Sequence, residues 1–178
     1  MKHKNTSRQY AFLMIDYEYD DFIKDIQNKI KEQELYKEED DNDYGFEKDP
    51  HVTLVPCLDN DVDLDKLKEY LEDLSNYDIL LTDLSKFECE KFDVLKCSAR
   101  SKTLFDTNKK ILKDFESHSD YKKYQPHLTI AYMKHGMADK YTKEILPKLI
   151  HLKPTHFHFS YVDENGNEKE VKFDWHNI

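Results

Sequence analysis

The sequence predicts an α+β fold built from two similar halves, and three observations lead to this prediction. Strand-forming runs alternate with amphipathic stretches of helical spacing along all 178 residues, in the order β-α-β-α-β-β-α-β-α-β-β. No linker-like stretch separates the halves, which favours a single bilobal domain spanning residues 1–178. A short pattern, Pro-His-apolar-Thr-apolar, occurs once in each half, at 50–54 and at 126–130.

The first half is predicted to contain a strand, a helix, a second strand and a second helix. Residues 10–16 form an apolar run rich in strand formers, and apolar residues within 20–30 then recur at helical spacing. Residues 51–57 alternate between core-type and other side chains, and the proline before them requires an extended backbone. Asp63 is placed to cap the second helix, which is expected to end near residue 76.

The remaining chain is predicted to form a strand pair, a helix, a strand, another helix and a terminal hairpin. The predicted strands are 79–87, 92–98, 128–133, 157–162 and 170–173, and the predicted helices are 102–115 and 138–149. Only a short charged segment separates the first two strands, which indicates an antiparallel pair. The Asn-Gly sequence at 165–166 is a strong hairpin signal, because both residues tolerate the positive φ angles of the turn.

Composition and charge exclude several classes of function. The chain has 27 Lys and Arg against 37 Asp and Glu, for a net charge of −10, whereas a protein that coats long nucleic acid needs clustered cations. No apolar run reaches the ~20 residues of a membrane span and no signal-type stretch follows the start, so we expect a soluble cytoplasmic protein. Cys57, Cys89 and Cys97 lack CxxC spacing, which argues against a disulfide framework. A small anionic ligand in a local pocket is compatible with this composition.

The repeated Pro-His-x-Thr pattern predicts acid–base chemistry at a phosphorus atom. Because side chains two residues apart on a strand share one face, His51 should lie beside Thr53, and His127 beside Thr129. If the halves pack about a pseudo-twofold axis, one imidazole can accept a proton from the attacking hydroxyl while the other protonates the leaving oxygen. The threonine hydroxyls would hold the nonbridging oxygens. The sequence does not decide which histidine is the base.

No metal or cofactor is expected at these motifs. His-x-Thr lacks the spacings of zinc sites, and each motif supplies only one ligand. His156 and His158 alternate on a predicted strand and could pair as metal ligands, but no third ligand stands at a diagnostic spacing. Lys96 and Ser98 lie on a strand that is expected to line the cleft, where they could contact phosphate.

The paired motifs on a chain of this length resemble those of the two-histidine (2H) phosphoesterases, which include RNA 2′,3′-cyclic phosphodiesterases. The segment YQPHLTIAYMKHG at 124–136, followed by DKY at 139–141, is most similar to the phage anti-CBASS phosphodiesterases, as are Gly45 and FDVLK at 92–96. Those enzymes degrade the cyclic oligonucleotide messengers of a bacterial antiviral defence. The resemblance covers roughly residues 10–175 and implies two pseudo-symmetric antiparallel sheets around a central cleft, with helices packed outside.

The resemblance further implies a metal-independent phosphodiesterase that cleaves 3′-5′ linkages of cyclic di- and trinucleotides, with the histidines and threonines of both motifs as catalytic residues. The ribose 2′-OH would attack the adjacent phosphodiester and give a 2′,3′-cyclic phosphate, which is then hydrolysed. By the same resemblance, nucleobase contacts come from an aromatic residue near the first strand, and from an acidic and an aromatic residue of the C-terminal hairpin. We assign these contacts to Tyr10, Glu168 and Trp175.

Two alternatives stay open at this point. The first is an RNA 2′,3′-cyclic phosphodiesterase or 2′-5′ oligonucleotide hydrolase, which would use the same two motifs on another substrate. The second is a protein that sequesters cyclic nucleotides without cleaving them, although the intact histidine and threonine of both motifs argue against it. Base preference, ring size of the substrate and oligomeric state are not predicted.

Overall fold

In the part of the chain that the structure describes, eight strands form two four-stranded antiparallel sheets, which confirms the predicted α+β fold. The strands are β1 (Tyr10–Tyr17), β2 (His51–Asp59), β3 (Ile79–Glu88), β4 (Phe92–Arg100), β5 (His127–Lys134), β6 (Ile150–Leu152), β7 (Pro154–Val162) and β8 (Glu168–Phe173). The helices are α1 (Phe22–Gln27), α2 (Leu64–Tyr70) and α3 (Lys102–Asp114). This computed structural model describes residues 10–19, 21–39, 43–71, 73–143, 149–163 and 165–173.

The order of the strands places the two motif strands at corresponding positions. One sheet has the order β2-β1-β7-β8 and the other the order β5-β4-β3-β6, and neighbouring strands are antiparallel throughout. The motif strands β2 and β5 are therefore each the edge strand of a sheet. These two strands also contact each other, so the sheets meet along the motifs.

The alternation of side chains along β2 and β5 determines which way the motifs face. Val52 and Leu54 are fully buried in the core, and so are Leu128 and Ile130. The histidine and threonine that alternate with each of these pairs are only half-buried and lie on the opposite face of the strand. Hydrophobic burial of one face thus presents both His-x-Thr pairs on the other.

A side-chain cap positions helix α2, and a buried hydrogen bond positions helix α3. Asp63 caps α2 by accepting hydrogen bonds from two backbone N–H groups, as predicted, but α2 ends at Tyr70 and a separate 3₁₀ turn follows. The side-chain amide of Asn108 in α3 donates to the carbonyl of Leu54 (2.8 Å). Because Asn108 is buried, this bond fixes α3 against the first motif strand.

The predicted helix over residues 138–149 is wrong in the residues that the structure describes. Residues 135–143 form turns, with the backbone N–H of Tyr141 donating to the carbonyl of Ala138 (3.0 Å), whereas 144–148 lie outside the described residues. Both Ala138 and Tyr141 are buried, and the Tyr141 hydroxyl donates to Glu34 Oε2 (2.8 Å). The apolar spacing therefore anchors a turn to the core, and the short strand β6, which was not predicted, follows.

The predicted hairpin between the last two strands is confirmed. β7 pairs with β8 in antiparallel register, and Gly166 in the connecting turn has a φ of +82°. Its backbone N–H donates to the carbonyl of Asp163 (2.9 Å). None of the described helices has the length and apolar composition needed to span a membrane.

Candidate active site

The two motif histidines are held by the same local interaction. His51 Nδ1 lies 3.0 Å from the carbonyl oxygen of Asp49, and His127 Nδ1 lies 2.7 Å from that of Gln125. Because a carbonyl oxygen can only accept, Nδ1 carries the proton in each ring and Nε2 is left to exchange protons with a substrate. A proline separates each histidine from its carbonyl partner and restricts the backbone there, so the repeated Pro-His sequence sets both ring orientations.

The fold brings the two motifs together where β2 meets β5. The hydroxyl of Tyr124, in the loop before the second motif, donates to the backbone carbonyl of Thr53 in the first motif (3.1 Å). The positive charge of His51 is one of the causes that lower the pKa of the His127 imidazole. Thr53 and Thr129 lie on the same two contacting strands, and the assembly of both His-x-Thr pairs into one catalytic site stays a prediction.

Strand β4 places a buried cation beside the second motif. In the β4–β5 register Lys96 lies opposite Thr129, and Ser98 lies opposite His127. Lys96 is only 5% exposed, and its Nζ donates to Ser85 Oγ (2.8 Å). In the described part of the chain no carboxylate forms an ion pair with Lys96, so its charge is available to a phosphate group. From the sequence, Lys96 was only a possible contact to phosphate. The strand register places it beside Thr129 of the second motif.

Phe87 is a site residue that the sequence reasoning missed. Its ring packs edge-on against His127, with centroids 4.8 Å apart, and the ammonium of Lys96 lies 4.3 Å from its centroid. These contacts restrict the orientation of the His127 ring and add a cation–π interaction between Lys96 and Phe87. Phe87 shares a face of β3 with Ser85, the residue that accepts the hydrogen bond from Lys96, and no local pattern in the sequence indicated this.

Burial and nearby charge change the proton affinity of the second histidine. Burial lowers the pKa of the His127 imidazole, and the positive charges of Lys96 and His51 lower it further, although the bond to the Gln125 carbonyl acts in the opposite direction. Burial also lowers the pKa of Lys96, against the attraction of Asp83. His127 is therefore kept neutral over a wider pH range than a solvent-exposed histidine.

A carboxylate and two further histidines lie beside the first motif. Asp16 lies opposite His51 in the β1–β2 register and opposite His156 in the β1–β7 register. Asp16 Oδ1 is 3.0 Å from His158 Nδ1, and Asp16 Oδ2 is 2.5 Å from His156 Nε2. Burial raises the pKa of Asp16, but the hydrogen bond from His158 and the charges of the nearby histidines outweigh this effect, so the net pKa is lowered. The ring of His158 lies 6.0 Å from that of His51.

Two of the three residues predicted to contact nucleobases, Tyr10 and Glu168, lie in the described part of the chain. Tyr10 lies opposite Asp59, at the other end of β1 from the motif histidine, and its ring packs on His118 with centroids 5.2 Å apart. Tyr10 and Asp16 are six residue steps apart along β1, or about 20 Å. Glu168 is exposed at the start of β8, and Trp175 lies outside the described residues. Their base-binding roles stay predictions, and the position of Tyr10 does not support its role.

A cavity adjoins the second motif. It has a volume of about 530 Å³ and is lined by residues of β4, of the start of α3 and of the loop before β5. Lys96, Arg100 and Lys102 are among the residues of its wall, although the chain as a whole is acidic, and Lys102 is paired with Asp106 (2.5 Å). The volume is typical of small-molecule sites, and the lining suits an anionic ligand.

The chain is similar to one known family and to solved structures. A family model for the 2′-5′ RNA ligase superfamily matches residues 18–166. Among solved structures, TT0787 of Thermus thermophilus superposes with a TM-score of 0.52 at 15% identity, covering 93% of this chain and 95% of that one. LigT of E. coli complexed with 3′-AMP gives a TM-score of 0.47 at 12% identity, with coverage of 94% and 96%. No curated protein sequence matches the chain.

Proposed function

The chain belongs to the 2′-5′ RNA ligase superfamily, and from this premise we propose that its two His-x-Thr motifs form the active site of a metal-independent phosphodiesterase. The observation that carries the proposal is the matched environment of His51 and His127. Each imidazole is tied through Nδ1 to the carbonyl two residues before it, so that two Nε2 atoms are available for proton transfer. A structural role alone would not require this arrangement twice on contacting edge strands.

The lowered pKa of His127 leads us to assign it as the general base. In the first step the substrate's 2′-OH gives its proton to His127 Nε2, the bond from 2′-oxygen to phosphorus forms, and the bond from phosphorus to the 5′-oxygen breaks. His51 is then left to donate its Nε2 proton to the departing 5′-oxygen. In the second step water gives a proton to His51 Nε2 and its oxygen bonds to phosphorus, while the bond from phosphorus to one ribose oxygen breaks. His127 donates its Nε2 proton to that oxygen, which restores the starting protonation states.

Charge that develops on the phosphate oxygens needs nearby donors. The hydroxyls of Thr53 and Thr129 lie on the same strand faces as the histidines, and the Lys96 ammonium is next to Thr129. A cation in a partly buried site stabilises such charge far better than one in water. These three side chains are the proposed phosphate-binding groups.

The proposed substrates are cyclic di- and trinucleotides, whose removal would block CBASS signalling in an infected bacterium. Two features favour a compact substrate over long RNA: the net charge of −10, and the cationic cavity that adjoins the second motif. The family description favours a second candidate, an RNA 2′,3′-cyclic phosphodiesterase or 2′-5′ oligonucleotide hydrolase, which would use the same chemistry.

The substrates are compared directly in one assay. Purified protein is incubated in excess EDTA with 3′,3′-cyclic GMP-AMP, with RNA ending in a 2′,3′-cyclic phosphate and with 2′-5′ oligoadenylate, and the products are separated by chromatography. We expect the cyclic dinucleotide to be cleaved fastest and the rates to be unaffected by the chelator. Cleavage of only the linear substrates would support the second candidate, and activity that EDTA abolishes and a divalent ion restores would contradict the proposed mechanism. Tight binding of the cyclic ligand without turnover would favour the sequestering alternative.

A further inference from the structure

We propose that Asp16, His156 and His158 form a binding site for one divalent transition-metal ion of the zinc class. The site is beside the first motif but separate from the proposed proton-transfer chemistry, which needs no metal. The sequence offered only the two histidines, because Asp16 is 142 positions away from His158. The β1–β7 pairing brings the carboxylate between them.

The three donor groups are already assembled on one sheet face. Their ligand atoms all lie within 4.8 Å of one another. Asp16 Oδ2 is 2.5 Å from His156 Nε2, and Oδ1 is 3.0 Å from His158 Nδ1. Ligand atoms of a tetrahedral zinc site are about 3.3 Å apart, so the Asp16–His156 pair would need to separate by under about 1 Å. Side-chain rotation can provide a movement of this size.

His156 Nε2 lies against Asp16, but its hydrogen-bonding capacity is not satisfied there. Its Nε2 is buried and makes no hydrogen bond of acceptable geometry, even though Asp16 is near. Buried polar atoms are normally satisfied, so such an atom calls for an explanation such as an ion. The other ring nitrogen, Nδ1, lies 3.1 Å from the Thr155 hydroxyl. A hydroxyl that accepts the Nδ1–H leaves the Nε2 lone pair free for a metal, which is the usual support for a metal-ligating histidine.

The donor set selects the class of ion. Two imidazole nitrogens and one carboxylate suit zinc and its neighbours, whereas magnesium and calcium prefer oxygen ligands. The structure contains one other cluster of possible ligands among the described residues, formed by Asp59, Glu116 and His118. That cluster has a single nitrogen donor and an exposed glutamate, so it serves as the matched control.

The test measures zinc binding directly and does not depend on catalysis. Full-length protein is stripped with a chelator, exchanged into metal-free buffer and titrated with zinc chloride by calorimetry. We expect one ion per chain, and an affinity that falls at least tenfold in Asp16→Asn, His156→Gln and His158→Gln. His118→Gln should leave this binding unchanged. Circular dichroism of each variant without metal establishes that it is folded.

Cobalt(II) provides a second readout that reports the ligands. The wild-type protein should develop the visible absorption of a tetrahedral cobalt site, and Asp16→Asn, which is isosteric, should lose it even if a histidine variant fails to fold. Zinc affinity or cobalt absorption that persists in Asp16→Asn, or that disappears in His118→Gln, would overturn the proposal. Failure of the wild-type protein to bind either ion would also overturn it, and would leave the phosphodiesterase proposal untouched.

Discussion

The carbonyl groups of Asp49 and Gln125 give His51 and His127 the same tautomer, but the neighbours of the two rings differ in charge. Asp16 lies opposite His51 in the β1–β2 register, whereas Lys96 flanks the second motif. An anion near one imidazole and a cation near the other make two similar groups unequal. At the scale of single residues, the cation beside the second motif supports the proposed role of His127 as the base, because positive charge lowers the pKa of that imidazole.

Replacing either motif histidine by asparagine should remove most of the activity and leave the fold intact. The asparagine amide can still donate to the carbonyl that holds Nδ1, while the proton-transfer atom is lost. General acid–base groups contribute ~10² to 10⁴ in rate, and we expect a loss of that size in kcat for His51→Asn and His127→Asn. His151→Asn is the control, because this exposed histidine pairs with Asp78 in the described structure. A motif variant with wild-type turnover would exclude that histidine from catalysis.

Lys96→Met should change the pH dependence as well as the rate. The Lys96 charge is one cause of the lowered pKa of His127, so removing it should raise that pKa. A base must be deprotonated to act, so activity increases as pH rises through this pKa, and the acidic limb of the kcat/KM profile should move to higher pH. The maximal rate should also fall because a phosphate-binding cation is lost. An unshifted acidic limb would show that His127 is not the titrating base.

At the scale of elements, hydrogen bonds between segments keep the two motif strands in place. Backbone groups on the outer edge of β5 form hydrogen bonds with the irregular segment around Gly45. The Tyr132 N–H donates to the Gly45 carbonyl (2.7 Å), and the Glu47 N–H donates to the Ile130 carbonyl (3.0 Å). Gly45 has a φ of +98°, a conformation that other residues rarely adopt. The edge strand is thereby covered, and its backbone groups are satisfied.

The segment after the second motif also has a structural role. The backbone N–H of Gly136 donates to Oδ2 of the fully buried Asp93 (2.8 Å), and Lys134 Nζ donates to the Gln33 carbonyl (2.9 Å). The AYMKHG sequence therefore closes a turn onto β4. These hydrogen bonds give Lys134 and Gly136 a structural role, which needs no direct part in catalysis.

Tyr124→Phe should destabilise the protein and loosen the link between the motifs. The substitution removes the bond from the Tyr124 hydroxyl to the Thr53 carbonyl and leaves that acceptor without its partner. We expect the free energy of unfolding in urea to fall by about 1–3 kcal/mol, together with a lower kcat. Tyr121→Phe is the matched control, since that side chain is 78% exposed and should change neither quantity. Equal stability of the two variants would mean that the hydroxyl contributes nothing to the motif geometry.

At the scale of the whole molecule, charge is distributed so that an acidic protein carries a cationic cavity. The net charge is −10, yet three of the side chains around the cavity beside the second motif are cationic. Long polyanions would meet repulsion over most of the surface, whereas a small ligand interacts mainly with the local lining. This distribution favours a compact substrate.

Binding of the cyclic substrate should therefore depend only weakly on salt. A cyclic dinucleotide has two phosphates, so the slope of log K against log salt should not exceed about 1.4 in magnitude at ~0.7 per phosphate. The measurement is a titration of the inactive His51→Asn protein with cyclic dinucleotide and with a longer single-stranded RNA, at several salt concentrations. Tighter and more steeply salt-dependent binding of the RNA would favour the RNA-processing alternative.

Local sequence determined seven of the eight described strands, the hairpin and the positions of the His-x-Thr motifs, because these depend on neighbouring residues. Alternation of apolar side chains decided which face the His-x-Thr pairs occupy, and the Asn-Gly pair identified the β7–β8 turn. The prediction of a helix over 138–149 was wrong for a related reason. The spacing of Ala138 and Tyr141 reflects their burial in the core, and a turn can bury two such residues as well as a helix can.

Only the tertiary structure decided which side chains surround each histidine. Strand order and register brought Asp16 to His156 and His158, put Lys96 and Phe87 at the second motif, and placed Tyr10 at the far end of β1. Such pairings join segments far apart in the chain, and a shift of one residue would reverse every side chain on a strand. Register is set by packing of the whole core, so no local pattern could specify these neighbours.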